Sequence, residues 1–132
     1  MLRCTSHGLR YFYIAQNAPK TEQHALMSAQ FHLAWMHQEG MGVEQNYEQA
    51  VYWYEQSSDS GNIVATNNLA DKYEHGLGVE QDLDRAFALY SMAAGQVIAA
   101  DLSLGRMYLE GRGVEKNLEL AKSHLEKVVM VK

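Results

Sequence analysis

The unit Gly-x-Gly-Val occurs three times, as Gly40-Met41-Gly42-Val43, Gly76-Leu77-Gly78-Val79 and Gly111-Arg112-Gly113-Val114. The leading glycines are 36 and then 35 residues apart, and six of the ten glycines fall in these units. A period of that length marks a stack of small supersecondary units, none of which can bury its apolar side alone. In a chain of 132 residues, it predicts three such units in series.

The flanking residues keep the same register. Ala29, Leu33 and Ala34 precede the first glycine pair, Ala65, Leu69 and Ala70 the second, and Ala100, Leu104 and Gly105 the third. Spacing of i, i+4 and i+5 places each set on one face of an α-helix, and His37, Tyr73 and Tyr108 continue that face. After the glycines, Asn46, Asp82 and Asn117 open a second periodic stretch each. Its apolar stripe begins Tyr47, Ala50, Val51 and Tyr54 in the first copy. The later copies begin Leu83, Ala86, Phe87, Tyr90 and Leu118, Ala121, Lys122, Leu125.

Each feature has a local cause. A glycine just past a helix takes the left-handed conformation without a Cβ penalty and lets the last carbonyls find donors. The second glycine allows a sharp return, and the valine tucks between the two helices. Asn or Asp then accepts from the free amides of the next helix, and Glu48, Asp84 and Glu119 put negative charge in its first turn. Small residues at Ala34, Ala70, Gly105, Ser57, Ser58, Ala93 and Ala94 permit close packing. The unit is an antiparallel helix pair.

These residues resemble the Sel1-like repeat, a relative of the tetratricopeptide repeat, from about Ala25 to Met130. The resemblance implies an all-α fold: a right-handed α-α superhelix of about three helix-turn-helix repeats, with the first helices lining a concave face. It also implies an adaptor role. The expected repeats span 25–61, 62–96 and 97–131 of a single solenoid domain, 1–132. The chain departs from the family in lacking the proline common after G-x-G-V, in His37 for the usual Tyr, and in Val128-Val129 for the alanine pair. With Cys4 the only cysteine, properties of the disulfide-bearing branch are not carried over.

The ends break the pattern. Residues 8–18, with Tyr11, Phe12, Tyr13, Ile14 and Ala15, are expected to form an extra N-terminal capping helix. At the other end Val128, Val129, Met130 and Val131 have no following repeat to bury them. A homodimer through this end, a fold-back of the apolar residues, and a longer parent protein each account for that; the homodimer is the expectation carried forward.

Composition narrows the function. Net charge is −5 and no Lys/Arg run exceeds two residues, against nucleic acid as a partner. No apolar stretch reaches the roughly 18 to 20 residues of a membrane span, and the start does not read as a signal peptide. A cytoplasmic setting is expected, with a periplasmic or secreted one also compatible. There is no S-x-x-K, G-x-S-x-G, H-E-x-x-H, C-x-x-C or G-x-x-x-x-G-K, so no enzyme, cofactor or metal is expected. Among the six histidines, His32 and His37 lie roughly 140° apart around a helix, unsuited to one ion. Glu74 and Glu110 read as solvated carboxylates.

The expected function is a protein–protein interaction scaffold that takes a protein or peptide on the concave face. The alternative is a small-ligand-binding protein or hydrolase with its site in the same groove. The face opposite Ala29, Leu33 and His37 carries Phe31, Trp35 and Gln38 in repeat one. It continues as Asn67, Asp71 and Glu74 in repeat two, and as Leu102, Arg106 and Leu109 in repeat three. Phe31 and Trp35 are one helical turn apart and could form an aromatic anchor or pack beneath the N-terminal segment. Tyr52, Trp53, Tyr54, Tyr73, Tyr90 and Tyr108 are expected in the core.

Overall fold

The computed structural model describes residues 20–130, and among them every regular element is an α-helix. The helices are α1 (Lys20–Glu39), α2 (Tyr47–Asp59), α3 (Ile63–His75), α4 (Leu83–Ala93), α5 (Ile98–Glu110) and α6 (Leu118–Met130). Helices α1/α2, α3/α4 and α5/α6 form hairpins, and α2 packs on α3 and α4 on α5, so the hairpins stack in chain order. The expected capping helix over 8–18 lies outside the described residues.

The corners follow the sequence closely. Gly40, Gly76 and Gly111 have φ of 71°, 65° and 67°. The amides after them reach back to close the helix end, Leu77 N–H to the Lys72 carbonyl at 3.0 Å and Arg112 N–H to that of Met107 at 2.9 Å. The Asn46, Asp82 and Asn117 amides each bond the carbonyl nine residues back, at 2.8, 2.9 and 3.0 Å, which closes the turn on itself. Their side chains then cap the next helix, accepting from Gln49, Arg85 and Leu120 amides at 3.1, 3.0 and 3.0 Å. Gln45 and Gln81 add a side-chain donor to the Gln38 and Glu74 carbonyls, each at 2.8 Å.

The second glycine does more than turn the chain. At Gly42 an added Cβ would meet only the Met36 methyl at 3.8 Å, but at Gly78 it would run into the Tyr47 backbone. At Gly113 it would meet the Leu83 Cβ at 2.8 Å. Tyr47 and Leu83 begin the second helix of the preceding repeat, so these glycines are where one repeat's turn seats against its predecessor.

Small residues let the helices close up. Ala34, Ala50, Ala65, Ala70, Ala86, Ala93 and Ala100 are fully buried, alongside Tyr54, Leu69, Tyr90, Leu104 and Met107. Burying one large apolar side chain contributes about 1.5–3 kcal/mol, so this continuous seam carries most of the cohesion. Repeat one differs from the expectation. Its buried residues on α1 are Leu26, Gln30 and Ala34, whereas Ala29, Leu33 and His37 are half-buried. The equivalent flank of repeat two, Ala65 and Leu69, packs beside α2, and no described helix precedes α1. Tyr52 also differs, standing 41% exposed on α2 rather than in the core.

Each first helix buries one polar residue at the same repeat position: Gln30, Thr66 and Asp101. Gln30 accepts from the Ser60 hydroxyl at 3.1 Å, and Thr66 shares a hydrogen bond with Ser58. Asp101 accepts from the Gly95 amide at 3.0 Å and lies 2.9 Å from His124 Nδ1. The His124 ring stacks on Tyr108 at 5.9 Å, so one cluster ties α6 to α5 and to the turn before it. Burial alone would raise the Asp101 pKa. The hydrogen bonds from His124 and Gly95, with the positive charge of Lys127, outweigh it and hold the carboxyl below its usual range.

Candidate functional site

The nine positions expected to line the concave face recur at the same place in the first helices α1, α3 and α5. Among them, charged contacts cross the seam between repeats two and three. Arg106 of α5 lies 3.8 Å from the Glu74 carboxylate of α3, and Arg112, in the turn after α5, lies 3.4 Å from its other oxygen. Arg112 also donates to the Glu74 carbonyl at 3.2 Å.

Glu74 corrects the sequence reading. It is 3% exposed rather than a solvated carboxylate. Its position faces the seam between repeats two and three, where the Tyr90 hydroxyl donates to it at 2.8 Å. In repeat one the same pairing joins Tyr54 to Gln38 at 3.1 Å. Burial, together with the hydrogen bond that the phenol donates to the Glu74 carboxylate, pushes the Tyr90 pKa well above the usual range. Tyr54 is pushed up to about 12, again mainly by burial. Both phenols therefore keep their protons and act as hydrogen-bond donors at any physiological pH.

Around Glu74 the charges alternate. Lys72 is buried, its amine 3.2 Å from Asp71 and 5.7 Å from the Tyr54 ring centre, a contact that also binds repeat two to repeat one. His75 Nδ1 sits 3.1 Å from the Asp71 carboxylate. Asp71, Glu74 and His75 bring their ligand atoms within 4.8 Å of one another, the only grouping of its kind among the described residues. The Lys72, Arg106 and Arg112 cations already balance the two carboxylates, which makes this a salt-bridge network rather than a metal cradle.

The remaining positions divide by exposure. Trp35, Leu102 and Leu109 are 41%, 44% and 46% exposed, and Arg106 and Asp71 are about half open to solvent. Phe31 is half-buried and packs edge-on against Tyr54 at 5.7 Å, while Trp35 points outward. Whether residues before Lys20 cover these two lies outside the described residues. Asn67 is half-buried and its Oδ1 has no partner among the described residues, as is true of His37 Nδ1. Burial lowers the His37 pKa, which keeps its ring neutral.

Sequence reasoning missed three participants. Arg112 stands at the variable position of the third G-x-G-V unit, where the earlier copies hold Met41 and Leu77. A charge replacing two apolar residues was the available signal. Lys72 and Tyr90 gave no such sign: Tyr90 meets Glu74 on the facing helix of the same repeat, 16 residues away, and Lys72 reaches the Tyr54 ring of repeat one.

Comparison with known proteins agrees with the stacked-hairpin fold. The family model described as the Sel1 repeat matches residues 28–62, 63–96 and 98–127. Among solved structures, the chain is similar to a protective antigen present in uropathogenic Escherichia coli strains and displaying an SLR fold. That match has a TM-score of 0.77 and 28% identity, over 92% of this chain and 28% of the antigen. It is also similar to a Sel1 repeat protein from Oxalobacter formigenes, with a TM-score of 0.72 and 28% identity over 78% of this chain and 42% of that one. The chain thus spans less than half the length of either protein. No curated protein matches it.

Proposed function

Because the chain belongs to the Sel1 repeat family, an α-solenoid scaffold whose repeats generally mediate protein–protein interaction, we propose that it holds a protein or peptide on the flank formed by α1, α3 and α5. One observation carries the reading: Trp35 and Leu102 stay open on that flank, with the half-exposed charges of Asp71 and Arg106 beside them. Exposed apolar groups around a held charge are what interface anchors require. Arg106 is the orienting cation, since the buried Glu74 beneath it limits its conformational freedom and so lowers the entropy lost on binding. Phe31 and Gln38 support the surface from below, packed against and hydrogen-bonded to Tyr54. We extend this reading to the end of the stack, where a second copy of the chain is the partner suited to the apolar face of α6.

The test is affinity capture from native lysate with the wild type, the double variant Trp35→Ala/Arg106→Ala, and Tyr52→Ala as a control on α2. The double variant is expected to lose a specific partner that the other two retain, with all three giving the same far-UV spectrum. Retention of every partner by the double variant would rule out this flank.

A further inference from the structure

An apolar groove of about 440 Å³ runs along α6, with Leu109, Leu118, Leu125 and Val129 in its lining. Its walls occupy repeat positions that are covered in the earlier copies. Leu125 stands where Tyr54 and Tyr90 are buried, and Leu109 where Gln38 and Glu74 accept from those tyrosines. The polar pair has become an apolar one, while Val129 and Met130 are 81% and 79% exposed. The face continues the surface through which α2 receives α3 and α4 receives α5.

It nevertheless differs from the seat of another regular repeat in two ways. Ser57-Ser58 and Ala93-Ala94, whose small side chains admit the next helix, are replaced by Val128-Val129. Phe87, which packs edge-on against Tyr108 of the following repeat, is replaced by Lys122. A lysine at the middle of the face favours an occupant that brings a carboxylate opposite it. Glu126 supplies one when the occupant is a second α6 running antiparallel. Leu118 and Met130 are equidistant from residue 124, and so are Lys122 and Glu126. A twofold axis there sets Leu118 against Met130 and gives two Lys122–Glu126 pairs across the interface. Within one chain Lys122 already lies 3.7 Å from Glu126, with both side chains largely exposed.

We infer that the chain self-associates through α6, paired antiparallel with α6 of a second copy, Lys122 of each facing Glu126 of the other. This rests on the reading that a second copy covers this end, and specifies its geometry as isologous. The full chain, Lys122→Glu, Glu126→Lys, an equimolar mixture of those two, and Val129→Glu are compared by sedimentation equilibrium. The wild type is expected to dimerise. Each charge variant alone should weaken dimerisation by about tenfold or more through like-charge contact. Their mixture should restore it as a heterodimer, because every pair across the axis is then opposite in sign. Val129→Glu should abolish it. A monomeric wild type would overturn the second-copy reading itself. A wild-type dimer insensitive to Val129→Glu would move the interface elsewhere, and one lost in Val129→Glu but not restored in the mixture would overturn the antiparallel pairing alone.

Discussion

Replacing Gly78 with alanine is expected to cost about 2–5 kcal/mol, more than the same change at Gly42. Both residues have φ near +77°, 78° and 76° respectively, so each alanine would bear left-handed strain of about 1–2 kcal/mol. Only Gly78 has backbone in the way: its new Cβ would overlap the Tyr47 carbonyl and come within 2.8 Å of the Glu48 amide nitrogen. Backbone at a capped helix start cannot rotate aside as a side chain can, so the repeats must part, adding about 1–3 kcal/mol. In a chain of this size each kcal/mol lowers Tm by about 3–5 °C, which makes the two variants distinguishable by calorimetry. Equal losses at Gly42 and Gly78 would mean the second glycine serves the turn alone.

Glu74→Ala is the second large effect, expected at about 2–4 kcal/mol. Removing one member of a buried ion pair ordinarily costs about 3–5 kcal/mol. Here Arg106 and Arg112 are 48% and 37% exposed in their side chains and can turn to water, which softens the loss. The Tyr90 hydroxyl cannot, because its residue is 1% exposed, and it would lose its acceptor at about 1–3 kcal/mol. Glu74→Gln keeps an acceptor for Tyr90 and should recover roughly half of the loss in urea unfolding. If alanine and glutamine were equally costly, charge rather than the tyrosine hydrogen bond would dominate the seam.

These two residues also mark the boundary of what the chain shows in one dimension. Glycine corners, Asn/Asp caps and small-residue faces are local, and three copies in register made each of them legible. Gly78 was legible as a turn residue, but its contact with Tyr47 arises only when two repeats stack. Glu74 looked solvated because nothing within its own helix hides it; Tyr90, Arg106 and Arg112 arrive from elsewhere. The Asp101–His124 pair spans 23 residues and has no counterpart in the other repeats, so periodicity could not reveal it. Exposure along the first helices followed the same rule. Trp35, Leu102 and Arg106 stand open as the helical face suggested, whereas Phe31 turns toward Tyr54.

If the first helices hold the partner, as proposed, amide hydrogen exchange with and without a captured partner should locate it there. Slower exchange on binding is expected in α1, α3 and α5 around Trp35, Asp71 and Arg106, with α2 and α4 unchanged. Protection confined to α2 and α4, with the first helices exchanging as in the free chain, would contradict the account.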